Sequence, residues 1–476
     1  MFKYVRDSKS NIVLEGVCEQ LDTAELLVVA LPLLNRSEEA IGLLFIANIS
    51  VEGQQSFSED WLGFMTLLSR FSAVTLQSRQ LIHKQKELMQ SFIKLIAGAI
   101  DAKSPYTGGH CQRVPELTKM LAIAACESQD EKFRDFTLTE DQWEELHFAS
   151  WLHDCGKVTT PEYVVDKSTK LETIHDRIHE VRMRFEVLKR DREIETLKAI
   201  NELKAGSKRE AEQHFHQLEL TLRELDEEFI FVADCNVGGE FMSQEKIERL
   251  HKIAERTWQR TLDDRSGISW EELLRKKKQP AKTLPVTEKL LDNKVEHLIE
   301  FDAQDVMPTD NRWGFKLQQP KYKYDRGELS NLSVKRGTLT EEERYKINDH
   351  IVQTIIMLEN LPYPKHLRKV PEIAGGHHEK MDGTGYPRRL KKEDMPLTAR
   401  MMAIADIFEA LTAADRPYKK PKKLSESLKI MGFMRKDQHI DADLFELFLT
   451  SGAYSQYANE YLLKEQIDSV DIQDYL

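Results

Sequence analysis

Apolar positions near the start of the chain fall into two dense runs. LLVVALPLL at 26–34 and AIGLLFIANI at 40–49 are both rich in aliphatic and β-branched residues. The segment between them, NRSEE at 35–39, is polar and typical of a turn. Two apolar runs of strand length joined by a short polar turn predict a β-hairpin.

After the hairpin, the spacing of apolar residues changes from that of a strand to that of a helix. A serine and two acidic residues at 58–60 give a helix start signal. Apolar residues then recur three or four positions apart, as at Leu68, Phe71 and Val74, which places them on one face of a helix. We expect this helix to run over residues 57–100. It would serve either as a parallel homodimer interface or as a simple tether.

From residue 101 onward, apolar residues keep the spacing that is typical of helices. One apolar stripe includes Val114 and Leu117, and a second runs from Trp143 to Leu152. The second stripe ends directly before His153 and Asp154, so core packing of this helix should turn that pair inward.

Residues 171–330 have a different character, because they are strongly charged and contain few candidate ligands. Apolar spacings that alternate between four and three, with a break at Gly206, predict an antiparallel helical hairpin with a coiled-coil seam. Residues 229–330 are interpreted as mixed helix and loop, and no site is predicted there.

Composition limits the partners of the chain. The 80 acidic and 68 basic residues give a net charge of −12, which offers no surface for polymeric nucleic acid. The longest apolar runs fall well short of the roughly 20 residues that a membrane helix needs, and no secretory signal precedes them. The five cysteines form no CxxC pair, which argues against a disulfide framework or a zinc ribbon and favours a cytoplasmic location.

Histidines and aspartates form a recurring chemical pattern. His153-Asp154 and His377-His378 are adjacent pairs, while His350 and Asp406 stand alone. These side chains supply nitrogen and oxygen ligands without any thiolate, which suits paired iron or manganese better than structural zinc. The carboxylate of Asp154 has two oxygens and can bridge two cations. For Asp406, an ion pair with Arg400 or Arg416 is the alternative.

Three segments make this pattern specific: HDCGK at 153–157, HHEKMDGTGYP at 377–387 and ADIFEALTAADRPYKK at 405–420. They resemble the HD-GYP family of cyclic dinucleotide phosphodiesterases, from about residue 101 to about residue 450. The resemblance implies an all-helical metal core that opens cyclic di-GMP or 3'3'-cyclic GMP-AMP to a linear dinucleotide, and it leaves open a second cleavage to mononucleotides. It implies two divalent metal ions, with these ligands: His153, Asp154, His350, His377, His378 and Asp406.

The same resemblance implies further roles. Asp154 and Lys157 would be catalytic, and substrate would contact Lys157, His110, Tyr386, Arg416 and Lys419. For His110 and Tyr386 a structural role is the alternative, and the segment that carries Arg416 and Lys419 also suits a solvated helix end. Family members thought to hold three metals carry a glutamate four residues before the histidine at 110. Tyr106 occupies that place here, so two metals are expected.

The first 80 residues resemble the closing half of a GAF sensory domain; a small capping or dimerisation module is the alternative. A mainly α fold follows, in which an all-helical HD-type core is interrupted by the helical-hairpin insertion and preceded by a small α/β segment. We expect the insertion to leave and re-enter one surface loop and to spare the core. The predicted divisions are 1–80, a connecting helix at 81–100, the first part of the core at 101–170, the insertion at 171–330 and the second part of the core at 331–476.

Two other functions remain open at this point. A non-catalytic signalling adaptor would bind the dinucleotide without hydrolysing it. A general HD nucleotide phosphohydrolase would act on mononucleotides, but such an enzyme does not need the GYP segment.

Overall fold

The computed structural model describes residues 26–49, 58–103, 109–203, 207–239, 241–308, 310–414 and 421–476. Tyr106, Arg416 and Lys419, which carry predictions, lie outside these ranges. The chain divides into two compact units, residues 1–94 and 95–476. The predicted mainly helical fold is confirmed, because the strands of the described ranges form only three two-stranded antiparallel pairs.

The first unit contains the predicted hairpin. Strands β1 (Leu26–Leu34) and β2 (Ala40–Ile49) pair in antiparallel fashion. The Asn35 side chain accepts hydrogen bonds from the backbone N–H groups of Ser37 (2.9 Å) and Glu39 (2.8 Å), which closes the turn. The hairpin prediction is therefore confirmed, whereas a GAF-like domain remains a prediction.

The long helix is also present. Helix α1 (Glu59–Lys103) extends over 45 residues and includes nearly all of the predicted span. Within the described ranges, none of the helices combines the length and the hydropathy that a membrane crossing requires.

The second unit is almost entirely helical. Its elements after α1 are α2 (His110–Glu127), α3 (Glu140–Leu152), α4 (Glu162–Val165), α5 (Ile178–Asn201), α6 (Lys208–Val237), α7 (Gln244–Ala254), β3 (Thr257–Arg260), α8 (Trp270–Lys276), β4 (Val286–Lys289), β5 (Leu298–Ile299), β6 (Tyr324–Asp325), α9 (Glu328–Leu332), α10 (Glu341–Glu359), α11 (Val370–Gly375), α12 (Leu397–Thr412), α13 (Leu424–Lys436), α14 (Ala442–Thr450) and α15 (Ala453–Tyr461).

The helical core combines segments from both sides of the insertion. Helix α2 packs against α3 and α12, and α11 packs against α3, α10 and α12. Helix α10 lies against the short 3-10 helix Cys155–Thr159, which follows the His153-Asp154 pair. Residues before and after the insertion therefore form one core.

The insertion has a core of its own. Helices α5 and α6 form the predicted antiparallel hairpin, in which the rings of Phe185 and Phe229 are 5.5 Å apart between centroids. Buried apolar side chains of α7, Leu290, Leu291 and α9 pack onto this hairpin. The part of the insertion interpreted from sequence as mixed helix and loop thus completes a compact structure.

One part of the insertion packs away from that core. Phe315 is buried with Val352 and Ile355 of α10, and Met307 and Trp313 cover the edge of this cluster. The return segment of the insertion thus covers the helix that carries His350, while the core on both sides of the insertion remains joined.

Candidate metal centre

The end of α3 places His153 and Asp154 inside the protein. Thr139 and Gln142 form a capping box that starts this helix, and Leu146 belongs to its buried face. His153 is the C-terminal cap residue and Asp154 follows it, and both side chains are almost fully buried. The apolar stripe therefore turns the pair inward.

Two groups of side chains meet at this pair. In the first group, His110 Nε2 lies 3.4 Å from His153 Nε2 and 3.2 Å from Asp406 Oδ1. In the second group, His378 Nε2 lies 3.3 Å from His350 Nε2. The structure brings together all six predicted ligands: His153, Asp154, His350, His377, His378 and Asp406.

Asp154 connects the two groups. Its Oδ1 atom lies 3.1 Å from His350 Nε2, in the second group. Its Oδ2 atom lies 3.3 Å from both His110 Nε2 and His153 Nε2, in the first. Because the two oxygens face different sets of imidazoles, this carboxylate is placed to be shared by two cations.

Backbone carbonyls orient three of the histidines. The Nδ1 atoms of His153, His350 and His377 lie 2.7, 2.5 and 2.7 Å from the carbonyl oxygen three residues earlier. A carbonyl oxygen can only accept a hydrogen bond, so each Nδ1 carries a proton and each Nε2 is the nitrogen that can bind a metal.

The donor set fits a metal centre. Asp154 Oδ1 is buried and has no hydrogen-bond donor among the described residues, while the metal-binding nitrogen of His350 faces it. A buried carboxylate oxygen without a donor is costly unless a cation satisfies it. Nitrogen and oxygen ligands of this kind suit iron or manganese.

Burial and neighbouring charges shift the pKa values at the centre. Burial, followed by the His153 imidazole, lowers the pKa of His377 to about 4. Burial alone would raise the pKa of Asp154, but Lys157 and His153 lower it well below its ordinary value. In spite of burial, the neighbouring carboxylates raise the pKa of His153 to about 9. A metal ion therefore competes with a proton at His153, whereas His377 and Asp154 already have the protonation states that metal binding requires.

His110 belongs to the donor cluster. Its Nδ1 donates a hydrogen bond to the buried carboxylate of Glu409, and its Nε2 faces Asp154 and Asp406. Glu409 also accepts a hydrogen bond from Arg113 Nε (2.7 Å). Sequence reasoning missed Glu409, although an acidic residue one helical turn after Asp406 in an apolar helix was a usable signal.

Gly156 allows the two halves of the core to meet. A Cβ atom at this position would lie 1.9 Å from the carbonyl oxygen of His350. The Gly156 N–H donates to Thr354 Oγ1 (2.9 Å) on the same helix. Backbone contact this close, which no side chain would permit, sets the position of α10 relative to the His153-Asp154 pair.

Lys157 lies at the edge of the centre. Its Nζ atom is 2.5 Å from Asp154 Oδ2, so its charge balances the shared carboxylate. The Lys103 ammonium holds the same turn, since it donates to the carbonyl oxygens of Lys157 (3.2 Å) and Thr160 (2.6 Å). The Lys157 side chain is about a quarter exposed (27%), so a ligand can reach it.

The GYP segment forms a tight loop over the second group of side chains. The ring of Tyr386 stacks on that of His378, with centroids 4.9 Å apart. The buried carboxylate of Glu379 accepts hydrogen bonds from the backbone N–H groups of Arg388 (2.6 Å) and Leu390 (2.9 Å). Glu379 therefore fixes the path of the loop that holds Tyr386 against His378.

The insertion also contacts this loop. The backbone N–H of Lys316 donates to the carbonyl of Pro387 (2.7 Å), and Arg388 Nε donates to the carbonyl of Trp313 (2.9 Å). No pattern in the sequence indicates this contact. The return segment of the insertion therefore supports the GYP loop.

The ion pair between Arg400 and Asp406, an alternative to metal binding by Asp406, is not present. Arg400 forms its ion pair with Asp441, so it does not neutralise Asp406. Cys155 is buried next to the His153-Asp154 pair, and burial raises the pKa of its thiol to about 12, so it packs there as a small apolar side chain.

Comparisons with known proteins agree with this geometry. Residues 285–444 match the HD-domain family. A probable cyclic di-GMP phosphodiesterase of Vibrio cholerae is 36% identical over 124 residues, which are 25% of this chain and 28% of that protein. A 3'3'-cGAMP-specific phosphodiesterase 2 of the same organism is 37% identical over 118 residues, 24% of this chain and 22% of that protein.

A cyclic di-GMP phosphodiesterase of Thermotoga maritima is 41% identical over 100 residues, 21% of this chain and 26% of that protein. The chain thus spans only about a quarter of the length of each of these relatives. The family match begins after His110, His153 and Asp154, so their place in the site rests on the structure. Residues 285–444 are similar to the HD domain, and the comparisons support the HD-GYP family for this part of the chain.

Proposed function

We propose that this protein is a metal-dependent phosphodiesterase that hydrolyses a cyclic dinucleotide, cyclic di-GMP or 3'3'-cyclic GMP-AMP, to a linear dinucleotide. The observation that carries the proposal is the position of Asp154 between two groups of imidazoles, beside the Lys157 ammonium and the GYP loop. The names of the relatives supply the substrate class.

The chain would hold two divalent ions, iron or manganese. The first group would bind one ion through His153, Asp154 and Asp406, and the second group would bind the other through Asp154 and its three histidines. His110 is placed to act as an additional ligand of the first group. When bound, such metal ions neutralise negative charge on phosphate and lower the pKa of water.

The other residues of the site position the substrate. The Lys157 ammonium would donate a hydrogen bond to an oxygen of the scissile phosphate. Tyr386 would contact a base or a sugar from the GYP loop, and Arg416 and Lys419 would bind the second phosphate. In the reaction a water oxygen forms a bond to phosphorus, the bond from phosphorus to the ribose oxygen breaks, and that oxygen leaves with a proton.

The test is to incubate metal-replete protein with a panel of cyclic dinucleotides and mononucleotides and to identify the products. We expect a linear dinucleotide from at least one cyclic substrate. Hydrolysis of mononucleotides alone would indicate a general HD phosphohydrolase. Saturable binding of a cyclic dinucleotide without product would indicate an adaptor.

We also propose that α1 forms a parallel homodimer. Leu67, Leu81 and Leu88 lie on one heptad position, and Phe71 and Phe92 lie on the matching position. These five side chains are between 55% and 72% exposed. An apolar seam this long on a single helix is typical of a coiled-coil interface, and a second copy of the same helix would bury it.

A cytoplasmic location remains our prediction from the cysteine pattern.

A further inference from the structure

A cleft of about 460 Å³ opens in the insertion, far along the chain from the metal ligands. The start of α5, strand β3, helix α8, the turn after β4 and the start of α9 line it. Its volume lies within the range of small-molecule sites. We call it the insertion cleft.

Acidic side chains in the insertion cleft already have basic partners. Arg184 forms a bidentate pair with Glu328, and Arg260 binds Glu288 (2.6 Å), which Lys294 also contacts. The remaining contacts are Lys276 with Glu296 (3.0 Å), Lys276 with Glu272 (4.0 Å) and His175 with Glu180 (3.1 Å).

Three guanidinium groups of the cleft, those of Arg177, Arg275 and Arg326, have no such partner among the described residues, and Arg275 donates to the carbonyl oxygen of Glu296 (2.9 Å). Arg177 donates to the carbonyl oxygens of Leu171 (3.2 Å) and Arg326 (2.7 Å), which are neutral. Neither Arg177 nor Arg326 forms an ion pair with a carboxylate in the part of the chain that the structure describes. Burial lowers the pKa of Arg177, although the negative charges of Glu328 and Glu180 act in the opposite direction. The cleft therefore contains two adjacent guanidinium groups, those of Arg177 and Arg326, that no carboxylate of the described residues contacts directly.

Three buried donor atoms of the cleft also lack an acceptor within the described ranges. They are one terminal nitrogen (Nη2) of Arg177, Nε of Arg326 and Nε1 of the Trp258 indole. All three can only donate hydrogen bonds. Buried donors without acceptors are uncommon in native proteins and require an explanation.

We propose that the insertion cleft binds a small anion that carries a phosphate group. A phosphate group presents several acceptor oxygens and carries negative charge at neutral pH, which two guanidinium groups would balance. The volume of the cleft leaves room for a group the size of a nucleoside attached to that phosphate.

A series of side-chain contacts connects the insertion cleft with α10, one of the helices that form the metal centre. Glu328 of the cleft lies in α9, and Asn331 of the same helix accepts a hydrogen bond from the buried Lys167 ammonium (3.2 Å). Lys167 also binds both carboxylate oxygens of Glu343 (2.8 Å each). Glu343 lies two turns before His350 on α10. Ordering of α9 by a bound anion should therefore also reduce opening of the start of α10.

The experiment uses the full-length, metal-replete protein with inorganic phosphate and AMP as probes and citrate as the carboxylate comparison, at constant ionic strength. Hydrogen–deuterium exchange locates binding, because the metal centre can also bind phosphate. We expect slower exchange at residues 171–184 and 324–332 with phosphate or AMP, and weaker protection at residues 341–350. Calorimetry gives the affinity.

Arg326→Gln is the main variant and Arg190→Gln is its matched control. Arg190 lies on α5 outside the cleft, is 60% exposed and pairs with Glu193. We expect Arg326→Gln to bind the probe about tenfold more weakly in the cleft, a change that corresponds to about 1.4 kcal/mol, whereas Arg190→Gln binds as the parent does. Binding at the metal centre should be the same in all three proteins.

Protection of the cleft that is lost in Arg326→Gln would support the proposal. Absence of protection at residues 171–184 and 324–332 with both phosphate probes would overturn it, as would protection by citrate alone. If Arg326→Gln proves unfolded by circular dichroism, the exchange data on the parent decide by themselves. Failure of cyclic dinucleotide hydrolysis would leave this result unaffected.

Discussion

Asp154 Oδ1 lies 3.1 Å from His350 Nε2, although the two residues are 196 positions apart in the sequence. The insertion between them can be accommodated because its two ends run side by side. Thr338 Oγ1 donates to the carbonyl of Lys167 (3.0 Å), and the Lys167 ammonium binds Glu343. The chain therefore leaves and re-enters the core at neighbouring points, and the donor cluster forms across that junction.

Glu409 is expected to position His110 for metal binding. In Glu409→Gln the carboxylate that accepts the Nδ1 hydrogen bond of His110 is lost, so the affinity for the metal of the first group should fall about 10- to 100-fold. Metal titration of the variant measures this loss. Glu409→Asp should recover part of the affinity. Unchanged metal affinity together with reduced thermal stability would assign Glu409 a purely structural role.

Gly156→Ala is expected to separate the two halves of the core. The new Cβ would lie 1.9 Å from the His350 carbonyl, so the backbone must shift, at a cost of at least about 1–3 kcal/mol in the free energy of unfolding. Urea unfolding of the metal-free protein measures the change. Gly98→Ala is the matched control, because a Cβ there has no neighbour within 4 Å and helix propensity favours alanine. Equal stability of the two variants would contradict the close contact.

Much of the site could be predicted from sequence because its ligands lie in short motifs. His153-Asp154 and His377-His378 are adjacent pairs, and the apolar stripe of α3 fixes the direction of the first pair. The helices and the first hairpin were likewise predictable, because the regular spacing of their apolar residues can be seen within one short segment. Contacts between distant segments carry no such local pattern. The hydrogen bond of His110 with Glu409, the support of the GYP loop by Trp313 and the insertion cleft therefore became visible only in the structure.

The Arg184–Glu328 pair should make the insertion sensitive to acid. Burial raises the pKa of Glu328, but the hydrogen bonds and charge of Arg184, together with His297 and Arg177, outweigh burial, so this carboxyl titrates below its ordinary value of 4.5. Its contribution to stability is thus complete above about pH 4.5 and is lost as the pH falls through the lower pKa of the folded state. Urea unfolding between pH 7 and pH 3 should show a smaller loss of stability in Glu328→Gln than in the parent. The exposed Glu186→Gln is the control, and a parental pH dependence in Glu328→Gln would refute this assignment.

The exposed seam of α1 predicts a dimer in solution. Leu81→Glu places a charge on the heptad seam and should convert the protein to a monomer, as measured by light scattering after size exclusion. Leu76→Glu introduces the same charge off the seam, at a side chain that is 44% exposed, and should leave the dimer intact. A monomeric parent protein would instead support the tether.

Hydrolysis in ¹⁸O-labelled water tests the central claim most directly. Metal-replete protein, its Asp154→Asn variant and the surface control Asp135→Asn are each incubated with cyclic di-GMP and with 3'3'-cyclic GMP-AMP, and the products are analysed by mass spectrometry. We expect the parent and Asp135→Asn to release a linear dinucleotide with one ¹⁸O on its new terminal phosphate, and Asp154→Asn to react at least about a hundredfold more slowly, because a ligand shared by both groups is lost. Absence of labelled product from the parent, or parental rates in Asp154→Asn, would contradict the account.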